Sequence, residues 1–122
     1  MSSQISVLYI DDEPINLMIF ERVFRKSYNI VTAESGQEGI ELLNDNNEIQ
    51  VVISDMKMPK MNGIEFITMA KNKFPDKAYF ILTGYDMTDE IKDAINNNLI
   101  HNSFSKPFKA ADITSAIDKV LS

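Results

Sequence analysis

Five polar side chains stand at or near the ends of successive apolar runs. Asp11 and Asp12 follow Val7-Leu8-Tyr9-Ile10, Asp55 follows Val51-Val52-Ile53, and Thr83 follows Phe80-Ile81-Leu82. Lys106 follows a weaker run around Phe104 and is itself followed by Pro107. Three carboxylates, a hydroxyl and an amine form a donor set for a divalent cation and a phosphoryl group. Ionised carboxylates crowded together repel, so such a cluster favours a bound cation or a proton. Oxygen donors without His or Cys suit Mg²⁺, or Mn²⁺, rather than Zn²⁺. A metal-bound carboxylate can attack a phosphoryl group and form an acyl phosphate. Lys106 would then supply a point charge, and Thr83 a hydroxyl, to the phosphoryl oxygens.

That chemistry requires the five residues to meet. Parallel strands of one sheet would bring them together along the edge beyond the strands' carboxyl ends, where open α/β sheets bind ligands. The chain reads as βα repeated about five times. Ile5 to Ile10 predicts a first strand, whose near-continuous apolarity predicts burial on both faces. Pro14 suits the first turn of a helix running to about Lys26, with Leu17, Phe20, Val23 and Phe24 at helical spacing. Asn29 to Ala33 predicts a second strand. Ser35 and Glu38 predict a capping box opening a helix to about Asn46, with Ile40 and Leu43 inward.

Gln50 to Ser54 predicts the third strand, and 55–63 a loop punctuated by Pro59 and Gly63. A helix to about Phe74 follows, then a strand over Ala78 to Leu82. Asp86-Met87-Thr88-Asp89 offers caps for a fourth helix carrying Ile91, Ala94 and Ile95. Ile100 to Ser105 predicts a fifth strand. From Asp112, the residues Ile113, Ile117, Val120 and Leu121 predict an amphipathic last helix. A closed TIM barrel needs about eight such units in roughly 250 residues. An α/β fold with an open, doubly wound parallel sheet of five strands, helices on both faces, is the expectation.

Composition narrows the function. The chain has 122 residues, with 44% hydrophobic and 25% charged, which suits a single domain over 1–122. A net charge of −6 argues against a nucleic-acid surface. With no Cys, thiolate sites and disulfides are excluded, and one His, His101, suits neither a multi-His metal site nor a catalytic triad. His101 reads as a surface residue, Lys71, Lys73 and Lys77 as a solvated face, and Met56, Met58 and Met61 as flexible packing. No apolar run approaches the ~20 residues of a membrane span, and the first ten residues lack the basic start of a signal peptide. A cytoplasmic protein is the expected reading.

The order acidic pair, Asp, Thr, Lys-Pro on five βα units resembles the receiver domain of two-component response regulators, similar to stand-alone chemotaxis-type receivers. Ile10-Asp11-Asp12-Glu13-Pro14, Ser54-Asp55-Met56-Lys57-Met58-Pro59-Lys60-Met61-Asn62-Gly63, Leu82-Thr83-Gly84 and Ser105-Lys106-Pro107-Phe108 carry the likeness, which covers essentially the whole chain. Each motif alone has an ordinary alternative. Asp11-Asp12 could cap the Pro14 helix, Asp55 could open an Asx turn, Thr83-Gly84 could be turn chemistry, and Lys106 a solvated charge.

The resemblance implies a flavodoxin-like strand order 2-1-3-4-5. It implies that Asp55 is the phosphoacceptor. Asp12, Asp55 and the Lys57 backbone carbonyl would ligate Mg²⁺ directly, with Asp11 acting largely through water. Thr83 and Lys106 would hold the phosphoryl oxygens, with backbone N–H groups of Met56 and Gly84, and small Gly84 would leave room for the group. It implies a cis Lys106-Pro107 bond. It implies a histidine kinase or histidine phosphotransfer protein as donor, a downstream protein target, and a monomer or phosphorylation-dependent dimer. The switching surface would be the fourth helix, fifth strand and fifth helix. The chain would be a stand-alone regulator or part of a larger regulator or hybrid kinase.

Two other functional classes compete. A haloacid-dehalogenase-type phosphatase would want Asp-x-Asp on the first strand and a cap insertion. A flavodoxin-like FMN carrier would want a Ser/Thr/Gly-rich loop where this chain has acidic residues. One position departs from the family pattern. Three residues before Lys106, where the family usually carries Tyr or Phe, stands Ser103, and Phe104 comes one later. A shift of one residue reverses the face of a strand, so Phe104 is expected to point into the core. Switching is then expected to rest on the loop after Thr83 and the fourth helix, with Tyr85. Lys57 and Tyr85, each two past a site residue, are expected to slow hydrolysis.

Overall fold

The computed structural model describes residues 4–84 and 88–122. Five runs of β-branched, aliphatic and aromatic residues form β1 (Ser6–Ile10), β2 (Asn29–Ala33), β3 (Ile49–Asp55), β4 (Ala78–Thr83) and β5 (Asn102–Ser105). They pair in parallel as one sheet of order β2-β1-β3-β4-β5, the flavodoxin-like order. β1 and β4 are buried along their whole length. Continuous burial is what central strands of a two-sided sheet require.

Five helices cover the sheet: α1 (Pro14–Phe24), α2 (Gly36–Asp45), α3 (Gly63–Lys73), α4 (Asp89–Asn96) and α5 (Ala110–Leu121). Strand alternation divides the core in two. Leu8, Ile10, Val52, Tyr79 and Ile81 pack on one face with Ile40, Leu43, Phe66, Ile67, Ile91 and Ala94 of α2, α3 and α4. Val7, Tyr9, Val51, Ile53, Phe80 and Leu82 pack on the other with Leu17, Phe20, Phe24, Ile113 and Ile117 of α1 and α5.

Several boundaries and faces differ from the sequence expectation. Asp55 and Thr83 are the last residues of β3 and β4 rather than loop residues, because the ladder continues through them to Leu82 and Ser105. Their directions are therefore set by the pleat. β5 starts later than Ile100, whose N–H turns instead to the Ala94 carbonyl of α4 at 3.3 Å. α1 stops at Phe24, and Val23 is 46% exposed. α5 starts at Ala110, and Leu121 is largely outside.

Only half of the Ser35 capping box forms. The Ser35 Oγ accepts the Glu38 N–H at 3.1 Å, but the Glu38 carboxylate accepts from Glu34. Lys71 and Lys77 are not simply solvated, since their ammonium groups donate to the carbonyls of Asn98 and Leu99, and of Ile49. Met56, Met58 and Met61 do pack against the core, and His101 is exposed. The Asp86 and Met87 caps and the Tyr85 expectations lie outside the described residues. Thr88, in contrast, caps α4 by accepting the Ile91 N–H at 3.2 Å.

One contact ties α3 to the end of β3. A Cβ on Gly63 would stand 2.5 Å from the Asp55 backbone oxygen and 2.7 Å from Ile81 Cδ1. Backbone cannot yield as a flexible side chain can, so Gly63→Ala is expected to destabilise by about 1–3 kcal/mol, the range for overpacking. A wild-type denaturant midpoint in that variant would refute the close approach.

Candidate functional site

Strand register places the acidic residues. Ile10 of β1 pairs with Ser54 of β3, so Asp11 and Asp55 arrive at one level on neighbouring strands. Asp55 pairs with Leu82, so Thr83 of β4 ends one residue further on. Lys106 is held beyond β5 by its N–H, which donates to the Thr83 carbonyl at 2.7 Å, and the Lys106-Pro107 bond is cis. The loop after β3 returns at α3, where Asn62 and Glu65 form a full capping box at 2.8 and 2.9 Å. The sequence reading missed this cap, although Asn-x-x-Glu before a helix is its signal.

The carboxylates of Asp11, Asp12 and Asp55 each offer an oxygen within 4.8 Å of the others. Asp11 is fully buried and Asp55 is 8% exposed. The Lys106 ammonium bridges two of them, donating to Asp11 Oδ2 at 2.9 Å and Asp55 Oδ1 at 3.2 Å. The Met56 backbone N–H also faces the Asp55 carboxylate. Met56, Lys57 and Thr83 line an open cleft of about 760 Å³ with Met58, Pro59, Asn62, Thr88, Glu90 and Ile91. Gly84 is exposed, and a Cβ there would meet nothing within 4 Å among the described residues. Lys57 is exposed too.

Electrostatics follow from two carboxylates, Asp11 and Asp55, sharing one cation. Burial pushes the Asp55 pKa up, Lys106 pulls it down, and Asp11 pushes it up again, leaving it raised. Burial alone would lower Lys106, but its hydrogen bond to Asp11 and the charges of Asp55 and Asp11 leave it raised. The two shifts are compatible. Lys106 sees two carboxylates, whereas Asp55 sees a cation it must share and an anion beside it. A cluster of hard oxygen donors with unbalanced negative charge fits Mg²⁺, which takes one or two carboxylates and keeps several waters.

One site residue had escaped the sequence reading. Tyr9 was read only as part of an apolar strand, yet its hydroxyl donates to Asp11 Oδ2 at 2.7 Å. The signal was available, because residues two apart on a strand share a face. Ser103 and Phe104 behave as alternation predicts: Phe104 packs toward α1 and α5, its ring 5.6 Å from that of Phe80.

Known proteins resemble this chain in sequence and fold. A family model described as the response regulator receiver domain matches residues 7–118. The transcriptional regulatory protein GlrR of Escherichia coli K12 is 30% identical over 116 residues, covering 94% of this chain and 26% of GlrR. A chemotaxis protein CheY homolog of Campylobacter jejuni is 27% identical over 119 residues, covering 94% of this chain and 91% of its own. A crystal structure of a response regulator receiver domain protein from Clostridium thermocellum superposes with a TM-score of 0.88 at 33% identity, covering 94% of this chain and 92% of that one. The chain thus spans about a quarter of the transcriptional regulator and nearly all of the chemotaxis protein. No helix among the described residues is long and apolar enough to cross a membrane. The chain belongs to the response regulator receiver domain family of two-component systems, whose members occur alone and within larger regulators.

Proposed function

We propose that the chain accepts a phosphoryl group on Asp55 from the phosphohistidine of a histidine kinase or histidine phosphotransfer protein, in a Mg²⁺-dependent reaction. The observation that carries this reading is the single ammonium of Lys106 bridging Asp55 and Asp11 beside a metal-spaced carboxylate cluster. A carboxylate oxygen of Asp55 forms a bond to phosphorus while the phosphorus–nitrogen bond breaks, and the imidazole nitrogen keeps the electron pair. Lys106 turns from Asp55 to the phosphoryl oxygens, joined by the Thr83 hydroxyl and the Met56 and Gly84 N–H groups. Asp11, Asp12, Asp55 and the Lys57 carbonyl would hold the metal, which neutralises charge on the transferred group.

The acyl phosphate then decays slowly to water. While it lasts, it biases a two-state equilibrium that alters the surface of α4, β5 and α5 for a downstream protein. With Ser103 at the usual aromatic position, α4 carries that change.

Intact-protein mass after incubation with Mg²⁺ and phosphoramidate tests the reading, beside a chelator control. One added phosphoryl group, absent with chelator and mapped to Asp55, is expected. No addition with Mg²⁺ present would overturn it. Metal also has a thermodynamic signature, because it binds the folded cluster and not the unfolded chain. At about 100 times its Kd, Mg²⁺ is expected to add about 2.7 kcal/mol of stability, or roughly 10 °C in Tm. A thermal midpoint indifferent to Mg²⁺ would contradict the site.

A further inference from the structure

Asp11 is fully buried and carries three donors on its carboxylate. The Glu13 N–H reaches Oδ1 at 3.0 Å. Oδ2 accepts both the Tyr9 hydroxyl at 2.7 Å and the Lys106 ammonium at 2.9 Å. These donors differ in freedom. Lys106 is a long chain, partly exposed and shared with Asp55. Glu13 contributes backbone, and Tyr9 contributes a rigid ring that is 1% exposed and stacked on Phe20 at 4.2 Å. An aliphatic side chain at position 9 would sit on the same face and fill the same core. It would leave Oδ2 with the lysine alone.

We propose that Tyr9 is a positioning residue of the acidic site, whose hydroxyl fixes the Asp11 carboxylate for Mg²⁺ and remains its partner when Lys106 turns to the phosphoryl group. This rests on the function proposed above. A buried carboxylate that loses a donor must be held by those that remain, or it carries an uncompensated charge. Two fixed donors on opposite oxygens hold the plane of the Asp11 carboxylate without help from Lys106. Partners behind a metal site set the orientation of its carboxylates, and losing one typically weakens metal binding by about 10–100-fold.

Calorimetric titration with Mg²⁺ tests this on wild type, Tyr9→Phe and Tyr79→Phe. Tyr79 is the matched control, a buried tyrosine of the same sheet whose hydroxyl donates to the Phe74 carbonyl at 2.7 Å, away from the carboxylates. Tyr9→Phe is expected to raise the Mg²⁺ Kd by about 10-fold, and Tyr79→Phe to leave it at the wild-type value. In an Asp11→Ala background, which leaves no acceptor for the hydroxyl, the Tyr9 substitution is expected to have no further effect, since the cycle isolates the pair.

A Tyr9→Phe chain that binds Mg²⁺ like wild type, or one whose loss persists undiminished in the Asp11→Ala background, overturns the role of Tyr9 alone. A wild type that binds no Mg²⁺ overturns the reading of the site and the role of Tyr9 together. The unmodified chain supplies a second readout through ¹³C-labelled tyrosine. Mg²⁺ is expected to move the Tyr9 ring resonance and leave that of Tyr79, and an unmoved Tyr9 signal also overturns the proposal.

Discussion

Asp55→Asn is expected to take up no phosphoryl group under conditions that modify the wild type and, without Mg²⁺, to be the more stable chain. The first effect follows from removing the proposed nucleophile, because an amide oxygen cannot form the acyl phosphate. The second follows from the local charge. Asp55 lies 8% exposed beside Asp11 and Asp12, and it shares the Lys106 ammonium with Asp11. Burial and the neighbouring Asp11 raise its pKa more than Lys106 lowers it. A carboxyl whose folded pKa lies above its unfolded value holds its proton more tightly in the folded state. Stability therefore falls as pH rises from the unfolded to the folded pKa, and the full penalty remains above it.

The wild type should thus trail Asp55→Asn at neutral pH by about 1 kcal/mol, an ordinary size for one substitution, or about 4 °C in Tm. The gap should close as pH falls through the titration of Asp55. Thermal scans of both chains across acidic and neutral pH, with chelator present, measure it. A gap that widens on acidification would contradict the assigned sign. Phosphoryl uptake by Asp55→Asn would remove Asp55 as the acceptor.

Lys106→Met is expected to slow phosphoryl uptake by about 10²–10³-fold, the usual loss when one donor to a developing oxyanion is removed. Thr83 and the backbone N–H groups carry no full positive charge. The same variant is expected to lose stability in chelator, since among the described residues fully buried Asp11 then keeps the neutral donors Tyr9 and Glu13 N–H. The expected loss is about 2 kcal/mol, below the ~3–5 kcal/mol of a fully buried broken pair, because the Lys106 side chain is itself partly in water. Mg²⁺ should return part of that stability by supplying a cation to the same carboxylates. Single-turnover uptake and thermal midpoints with and without metal measure both parts. Uptake at the wild-type rate would refute the role given to Lys106.

Much of this was legible before any coordinates. Apolar runs such as Val7 to Ile10 and Val51 to Ile53 announce buried parallel strands, because both their faces must leave water. Alternation with helical periodicity then dictates an open sheet. Once the strands are parallel, their carboxyl ends share one edge, and Asp11, Asp12, Asp55, Thr83 and Lys106 must share it too. Phe104 turning inward followed from the same two-residue period.

What the sequence could not decide was how donors are shared out. Helical spacing puts Val23 and Leu121 on an inward face, but they are 46% and 37% exposed. The Ser35-x-x-Glu38 pattern names a capping box, yet Glu38 found the Glu34 N–H instead. Lys71 and Lys77 read as solvated until the fold brought bare carbonyls within their reach. Tyr9 is the sharpest case. In the sequence it is one more large residue in a core strand. Only the docking of β1 against β3, with Lys106 arriving from beyond β5, sets its hydroxyl beside the cation on one oxygen of Asp11. Local pattern determines which faces are buried, because burial is a property of each element. Which polar atoms meet depends on separations of a few tenths of an ångström between elements far apart in the chain, and packing alone sets those.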